Sequence, residues 1–218
     1  VRTRVKICGL TRAEDAAVAV ACGADALGLV FFPPSTRAVD VDQAASLAAS
    51  VPALVDLVGV FVDSNETEVS AVLDRVPLTL LQFHGNETRE QCETYGMPYM
   101  KAVRMRDGVD LEALSDQHPN ARAFLLDTYH PESVGGTGAA FDWTRARIAL
   151  NAPVILAGGL AADNVGEALK QSGAWAVDVS TGVESEPGKK SAVKIVEFCR
   201  AVRAWDTQGI DSKVGEDA

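Results

Sequence analysis

The sequence predicts a single-domain α/β fold, a (β/α)8 TIM barrel, and three observations carry that expectation. Short β-branched runs alternate with alanine-rich helical stretches, and such alternation implies parallel strands joined by helical crossovers. Eight strand-like runs can be counted, with a helix candidate after each. The repeat, roughly 25 residues over residues 1–205, suits an eightfold barrel of about 200 to 250 residues. An open doubly wound sheet is the runner-up, but it usually needs fewer strands.

The elements follow in order. Arg4–Cys8 is the first strand, and Thr11 and Glu14 have the spacing of a capping box, so a helix over Thr11–Cys22 is predicted. Ala26–Val30 leads to a helix over Asp42–Ser50, and Asp56–Phe61 to one over Glu66–Arg75. Thr79–Phe83 and Tyr99–Val103 are the next strands, with a helix over Leu111–His118 behind the second. Ala123–Leu126, Val154–Ala157 and Ala176–Val179 complete the set, and a helix over Ser191–Ala204 closes it. From Asp206 to Ala218 the chain turns polar and acidic, so residues 206–218 are expected to fray.

Composition narrows the function. With 218 residues and 47% hydrophobic content the chain can bury one sizeable core. A formal charge of −10 argues against nucleic acid as a partner, because phosphate backbones need a basic face. A small anionic ligand needs only local positive groups and stays open. No apolar stretch approaches a membrane span, and no charged-then-apolar segment opens the chain as a signal peptide would. Cys8, Cys22, Cys92 and Cys199 have no metal spacing and no CxxC pair, so a reduced, cytoplasmic protein without a metal site is expected.

In barrels of this kind chemistry collects at the C-terminal ends of the strands. Here those ends carry Cys8, the Phe31–Arg37 loop, His84, Asp127, Gly158-Gly159 and Ser180-Thr181-Gly182. Cys8 lies just ahead of a predicted helix start, where a thiol loses its proton more easily, so it is placed like a base or nucleophile. Asp127 ends the sixth strand run and is the matching acid. Glycines and hydroxyls after strands seven and eight suit the recurrent phosphate site of these folds. Arg37 can hold a carboxylate through two parallel hydrogen bonds, and His84 reads as a hydrogen-bonded neighbour of the catalytic pair. Strand parity puts Lys6 on the side of Cys8, pointing into the barrel, and predicts the same of Lys101 and Asp178. Buried charges need partners, so Lys6 is expected to pair with Asp127 or Asp178. Gly135-Gly136-Thr137-Gly138, in the loop after strand six, suits either a mobile cover or a flexible connection.

These segments resemble one family, phosphoribosylanthranilate isomerase of tryptophan biosynthesis. The resemblance runs through Lys6-Ile7-Cys8-Gly9-Leu10-Thr11, Ser35-Thr36-Arg37, Leu81-Gln82-Phe83-His84-Gly85 and Gly135–Gly138 with Phe141-Asp142-Trp143. It continues through Leu156–Leu160 with Asn164-Val165 and through Asp178 to Glu184, covering Lys6 to about Lys190. It implies a barrel enzyme with no cofactor or metal that converts N-(5′-phosphoribosyl)anthranilate to 1-(o-carboxyphenylamino)-1-deoxyribulose 5-phosphate by an Amadori rearrangement. By that resemblance Asp127 protonates the ribose ring oxygen and Cys8 removes the C2′ proton. Arg37 would hold the anthranilate carboxylate, Gly158, Gly159, Ser180, Thr181 and Gly182 would lie about the phosphate, and His84 and Asp178 are expected among the substrate-binding residues. Two departures are visible: Thr181 stands where a second serine is common, and Ser191 where aspartate is common. A monomer or homodimer acting on a small anionic phosphoribosyl substrate is expected. The competing readings are another phosphate-binding barrel isomerase and a binding module without catalysis.

Overall fold

In a computed structural model, which describes residues 2–128 and 142–214, eight parallel strands pair in sequence order and the eighth returns to the first, closing a barrel. The strands are β1 (Arg4–Cys8), β2 (Ala26–Val30), β3 (Asp56–Phe61), β4 (Leu80–Phe83), β5 (Tyr99–Met105), β6 (Ala123–Thr128), β7 (Val154–Leu156) and β8 (Ala176–Val179). The helices between them are α1 (Ala13–Ala21), α2 (Val41–Ala48), α3 (Glu66–Leu73), α4 (Arg89–Glu93), α5 (Leu111–Gln117), α6 (Val165–Ser172) and α7 (Ala192–Val214). Side-chain oxygens start several of them. Asp40 accepts from the Gln43 amide, and Asn65–Glu68 and Thr88–Gln91 form complete capping boxes. Each such cap is worth about 1 kcal/mol.

Alternation along the strands divides the core into two layers. Val58, Met100, Ala102, Ala123, Leu125, Ile155, Ala157 and Ala176 fill the barrel interior. Their strand neighbours, such as Ile7, Leu27, Leu81, Phe124, Leu126 and Val177, pack outward against the helices. Continuing the inner parity to the C-terminal ends gives Cys8 on β1, Gln82 and then His84 on and after β4, Asp127 on β6 and Asp178 on β8. The inner wall therefore delivers polar groups at one rim only after the apolar layers are complete.

Several expectations change. Thr11 and Glu14 form no capping box: α1 begins after Arg12, which makes no side-chain cap, and the Thr11 hydroxyl instead donates to the Gly188 carbonyl at 2.6 Å. Lys101 does not point into the barrel. Its neighbours Met100 and Ala102 take the interior, so Lys101 faces the helical layer with Tyr99 and Val103. Between β6 and β7 the described residues hold a 3₁₀ turn, Trp143–Ala146, and no α-helix. Helix α7 continues past Asp206 to Val214, and the Asp206 carboxylate accepts from the Thr3 amide (3.0 Å) and hydroxyl (2.7 Å). Ser191 still serves as a weak cap, accepting from the Lys194 amide at 3.4 Å. The Gly135–Gly138 loop lies outside the described residues, and no described helix is long and apolar enough to cross a membrane.

Candidate active site

Cys8 closes β1 facing the barrel interior, opposite Gly28 of β2. A Cβ on Gly28 would sit 2.7 Å from the Cys8 sulfur, so that glycine leaves the space the thiol occupies. Directly below, Lys6 Nζ donates to Asp178 Oδ1 at 2.8 Å, and both side chains are buried. Burial pulls the Lys6 ammonium down, but Asp178 and the Cys8 sulfur outweigh it and keep its pKa above the ordinary lysine value. The thiol behaves otherwise than the helix-start argument predicts. Burial raises the Cys8 pKa above 9.0, and the nearby Lys6 and Lys190 cations only partly oppose it. The first helix starts at Ala13, too far along the chain to override desolvation.

Asp127 lies on the opposite wall, near the end of β6, and is more open than Cys8. Its Oδ1 accepts from the Thr128 amide at 2.8 Å, and its Oδ2 lies 3.4 Å from His84 Nε2. Gln82 Nε2 sits 3.1 Å from His84 Nδ1 and fixes the ring from behind. Gly158, with φ +82°, lets the next loop come up against this carboxylate: a Cβ there would lie 2.7 Å from Asp127 Oδ1 and would collide with the Thr128 hydroxyl.

The loops after β7 and β8 meet. Gly159 also has positive φ, and Asn164 staples its turn by donating from Nδ2 to the Gly159 carbonyl and accepting from the Ala161 amide, each at 2.8 Å. Ser180 leads into a 3₁₀ turn, Thr181–Val183, whose Gly182 packs so close to the Leu160 carbonyl that any side chain would clash. Close contact of two glycine-bearing loops leaves backbone N–H groups free to approach an anion.

A hairpin that the sequence reading did not anticipate joins this end to Arg37. Strands β9 (Glu184–Glu186) and β10 (Lys189–Lys190) pair antiparallel. Arg37 donates from Nε and Nη2 to the two Glu184 oxygens, each at 2.7 Å, and Lys190 Nζ donates to Glu184 at 2.8 Å. Arg37 is thus a bidentate fork engaged by an internal carboxylate. Its stem packs on Gly9, where a Cβ would lie 2.6 Å from Arg37 Cδ and 3.1 Å from Ser180 Oγ.

Contacts therefore run in an arc along the rim. They pass from Cys8 and Gly9 through Arg37, Glu184, Lys190 and Ser180, across Gly182 to the Gly158-Gly159 loop, and on to Asp127 and His84. Asp178 lies beneath this arc with its partner Lys6. Sequence reasoning missed Gly28, Gln82, Lys190 and the side chain of Glu184; an isolated glycine inside a strand and a lysine pair after a turn were the only signals. Lys101 and Glu87 form a further buried pair at 2.9 Å, with Glu87 also accepting from the Asp63 and Gly85 amides. The remaining thiols are packing groups by contrast: burial pushes Cys92 up to about 12 and Cys199 up to about 11.

The family model described as N-(5′-phosphoribosyl)anthranilate (PRA) isomerase matches residues 5–201. An N-(5′-phosphoribosyl)anthranilate isomerase of Pseudomonas putida F1 is 53% identical over 200 residues, covering 92% of this chain and 97% of that protein. The crystal structure of phosphoribosyl anthranilate isomerase from Thermotoga maritima superposes with a TM-score of 0.84 at 36% identity, covering 93% of this chain and 99% of the other. A further isomerase structure, in complex with reduced 1-(o-carboxyphenylamino)-1-deoxyribulose 5-phosphate, has a TM-score of 0.79 at 35% identity and covers 93% and 99%. A match over nearly the whole barrel settles kinship: the chain belongs to the N-(5′-phosphoribosyl)anthranilate isomerase family.

Proposed function

We propose that the protein catalyses the Amadori rearrangement of N-(5′-phosphoribosyl)anthranilate to 1-(o-carboxyphenylamino)-1-deoxyribulose 5-phosphate in tryptophan biosynthesis, with Asp127 as acid and Cys8 as base. The observation that carries this reading is the shared inner parity of Cys8 on β1 and Asp127 on β6, which brings a thiol and a carboxyl to one rim from opposite walls. Arg37 takes the anthranilate carboxylate. The Gly158-Gly159 and Ser180-Thr181-Gly182 loops take the 5′-phosphate, so both charged ends are held while the ribose lies between acid and base.

Protonated Asp127 delivers its proton to the ribose ring oxygen. The C1′–O bond breaks as the anthranilate nitrogen shares its lone pair, giving an open-chain iminium. The Cys8 thiolate removes the C2′ proton, and that electron pair forms the C1′–C2′ double bond while the nitrogen recovers its own. The enolamine then loses its C2′ hydroxyl proton and gains one at C1′, leaving the ketone. No net oxidation occurs. Lys6 below and Lys190 beside the sulfur favour the thiolate that this step requires. His84 faces the carboxylate left on Asp127 after proton delivery. The four unpaired cysteines suit a reducing compartment and support a cytoplasmic setting.

Turnover of enzymatically generated phosphoribosylanthranilate, followed by loss of its fluorescence, is the direct test. Wild type should be active, and Cys8→Ser and Asp127→Asn should each lose about 10² to 10⁴ in kcat. An inactive wild type sinks the reading, and near-full activity in Asp127→Asn removes the acid.

A further inference from the structure

We propose that Glu184 is a positioning residue that couples the two anion-holding ends of the site, its one carboxylate setting both the Arg37 fork and the Ser180 loop. The proposal rests on the reading that Arg37 takes a carboxylate and the Ser180 loop a phosphate.

The geometry is specific. Glu184 is buried, with its side chain 6% exposed, and it accepts from two cations at once. Arg37 donates to both of its oxygens, and Lys190, whose side chain has no exposure, donates to Oε1. Lys190 Nζ also donates to the Ser180 carbonyl and hydroxyl, each at 3.2 Å. One carboxylate thus stands between the guanidinium of one subsite and the ammonium that braces the other.

The donor count shows why this arrangement helps binding. A guanidinium has five N–H donors in a planar fork. Glu184 uses the edge made by Nε and Nη2, and among the described residues no acceptor is paired with Nη1. The second edge of the fork is left to take an incoming carboxylate, with the plane of the group already fixed. Two cations against one internal anion leave a surplus of one positive charge facing a substrate with two anionic ends. Holding Arg37 and Lys190 in place before the substrate arrives lowers the ordering cost of binding.

Glu184 is itself held rigidly. The Lys194 ammonium donates to its carbonyl at 2.7 Å, and the Thr11 hydroxyl and the Arg12 guanidinium donate to the Gly188 and Lys190 carbonyls across the hairpin. The Lys190 amide in turn donates to Asp15 at 3.1 Å. Gly188 has φ +79°, and a Cβ there would fall 2.7 Å from the Thr36 carbonyl, so the hairpin lies directly on the loop that carries Arg37.

The test uses two fragments of the substrate, inorganic phosphate and 2-aminobenzoate, titrated separately into wild type and variants by calorimetry or NMR. Glu184→Gln should weaken both fragments by about tenfold or more, the loss expected when a charge-assisted contact is removed. Lys190→Met should weaken phosphate alone, and Arg37→Ala 2-aminobenzoate alone. With the full substrate, Glu184→Gln should raise KM by a larger factor than it lowers kcat. Glu184→Asp keeps the charge and the fold while shortening the reach. It should bind better than Glu184→Gln at both ends and still fall short of wild type. Loss at one end only in Glu184→Gln, or wild-type binding of both fragments in Glu184→Asp, overturns the coupling even if wild-type turnover is normal. If wild type fails to turn over the substrate, the function falls and the two-fragment pattern still judges Glu184. If wild type binds neither fragment, both readings fall.

Discussion

The two halves of the rim solve the same problem in opposite ways. On the β8–β1–β2 side the proposed base is a buried thiol, with the Lys6–Asp178 pair below it and the Arg37–Glu184–Lys190 chain beside it. On the β4–β6 side the proposed acid is a carboxyl 23% exposed, supported by a backbone amide and by His84. The first half has two buried lysine–carboxylate pairs, Lys6–Asp178 within the barrel and Lys190–Glu184 at the rim, and the second has Lys101–Glu87 outside the barrel. The difference follows from the proton each group must handle. A base that meets a carbon acid benefits from exclusion of water and from cations that favour its charged form. An acid that must recover a proton each cycle benefits from contact with solvent.

The largest effect that could break this contrast is chemical rescue. Asp127→Gly and Cys8→Gly should both lose about 10² or more in kcat. Formate or acetate should restore part of the Asp127→Gly activity, because the carboxyl stands where solvent reaches. Small thiols should not restore Cys8→Gly, because that residue is only 8% exposed and backed closely by Gly28. Equal rescue of both variants, measured as rate against added carboxylic acid or thiol, would erase the distinction.

Next in size are the Lys6–Asp178 and Lys101–Glu87 pairs. Removing one partner of a buried ion pair leaves an uncompensated charge and typically costs about 3–5 kcal/mol. Lys6→Met and Lys101→Met should both show losses of about that size in urea unfolding, and each should regain much of it when the facing carboxylate is neutralised as well. Activity should separate them. Burial holds the Cys8 pKa above 9.0 while Lys6 pulls it down. The reactive form is the thiolate, whose fraction rises with pH, so the acid limb of the kcat/KM profile should move to higher pH in Lys6→Met. Lys101 touches the Phe83 and Gly85 carbonyls and Glu87, none of which contacts the sulfur, so Lys101→Met should leave that limb in place. A matching shift in both variants would mean that Lys6 acts only through stability.

What the sequence made legible follows the same division. Alternation between apolar and polar residues in Arg4–Cys8 and Ala176–Val179 placed Lys6, Cys8 and Asp178 on one face, because each short strand offers a single polar stripe. Parity failed for Lys101 because Tyr99–Met105 is buried on both faces, so nothing local says which stripe faces the barrel. Arg37 was legible as a fork, but its internal partner lies 147 positions away and is set by a hairpin with no periodic pattern. Thr11 and Glu14 had the spacing of a cap, and a tertiary contact to Gly188 won the hydroxyl instead. Gly28 looked like an ordinary strand glycine until the thiol opposite gave it a reason.

The smallest effect tests the open half alone. If Gln82 Nε2 donates to His84 Nδ1, the ring proton sits on Nε2 and faces Asp127 Oδ2. At 3.4 Å this is longer than an ordinary hydrogen bond, so the contact in the resting protein is weak. It gains strength once Asp127 has given up its proton and carries full charge, which is when the ring helps the reaction. A hydrogen bond to a charged carboxylate contributes about 1.5 kcal/mol at the low end that so long a contact warrants, so His84→Asn should lower kcat about tenfold. KM should change little, because neither anionic end of the substrate is held there. The same substitution should not disturb the Cys8 limb of the pH profile. A loss in His84→Asn as deep as in Asp127→Asn would instead make the imidazole the proton donor, and the open half would then contain its acid one residue further from the strand than assigned.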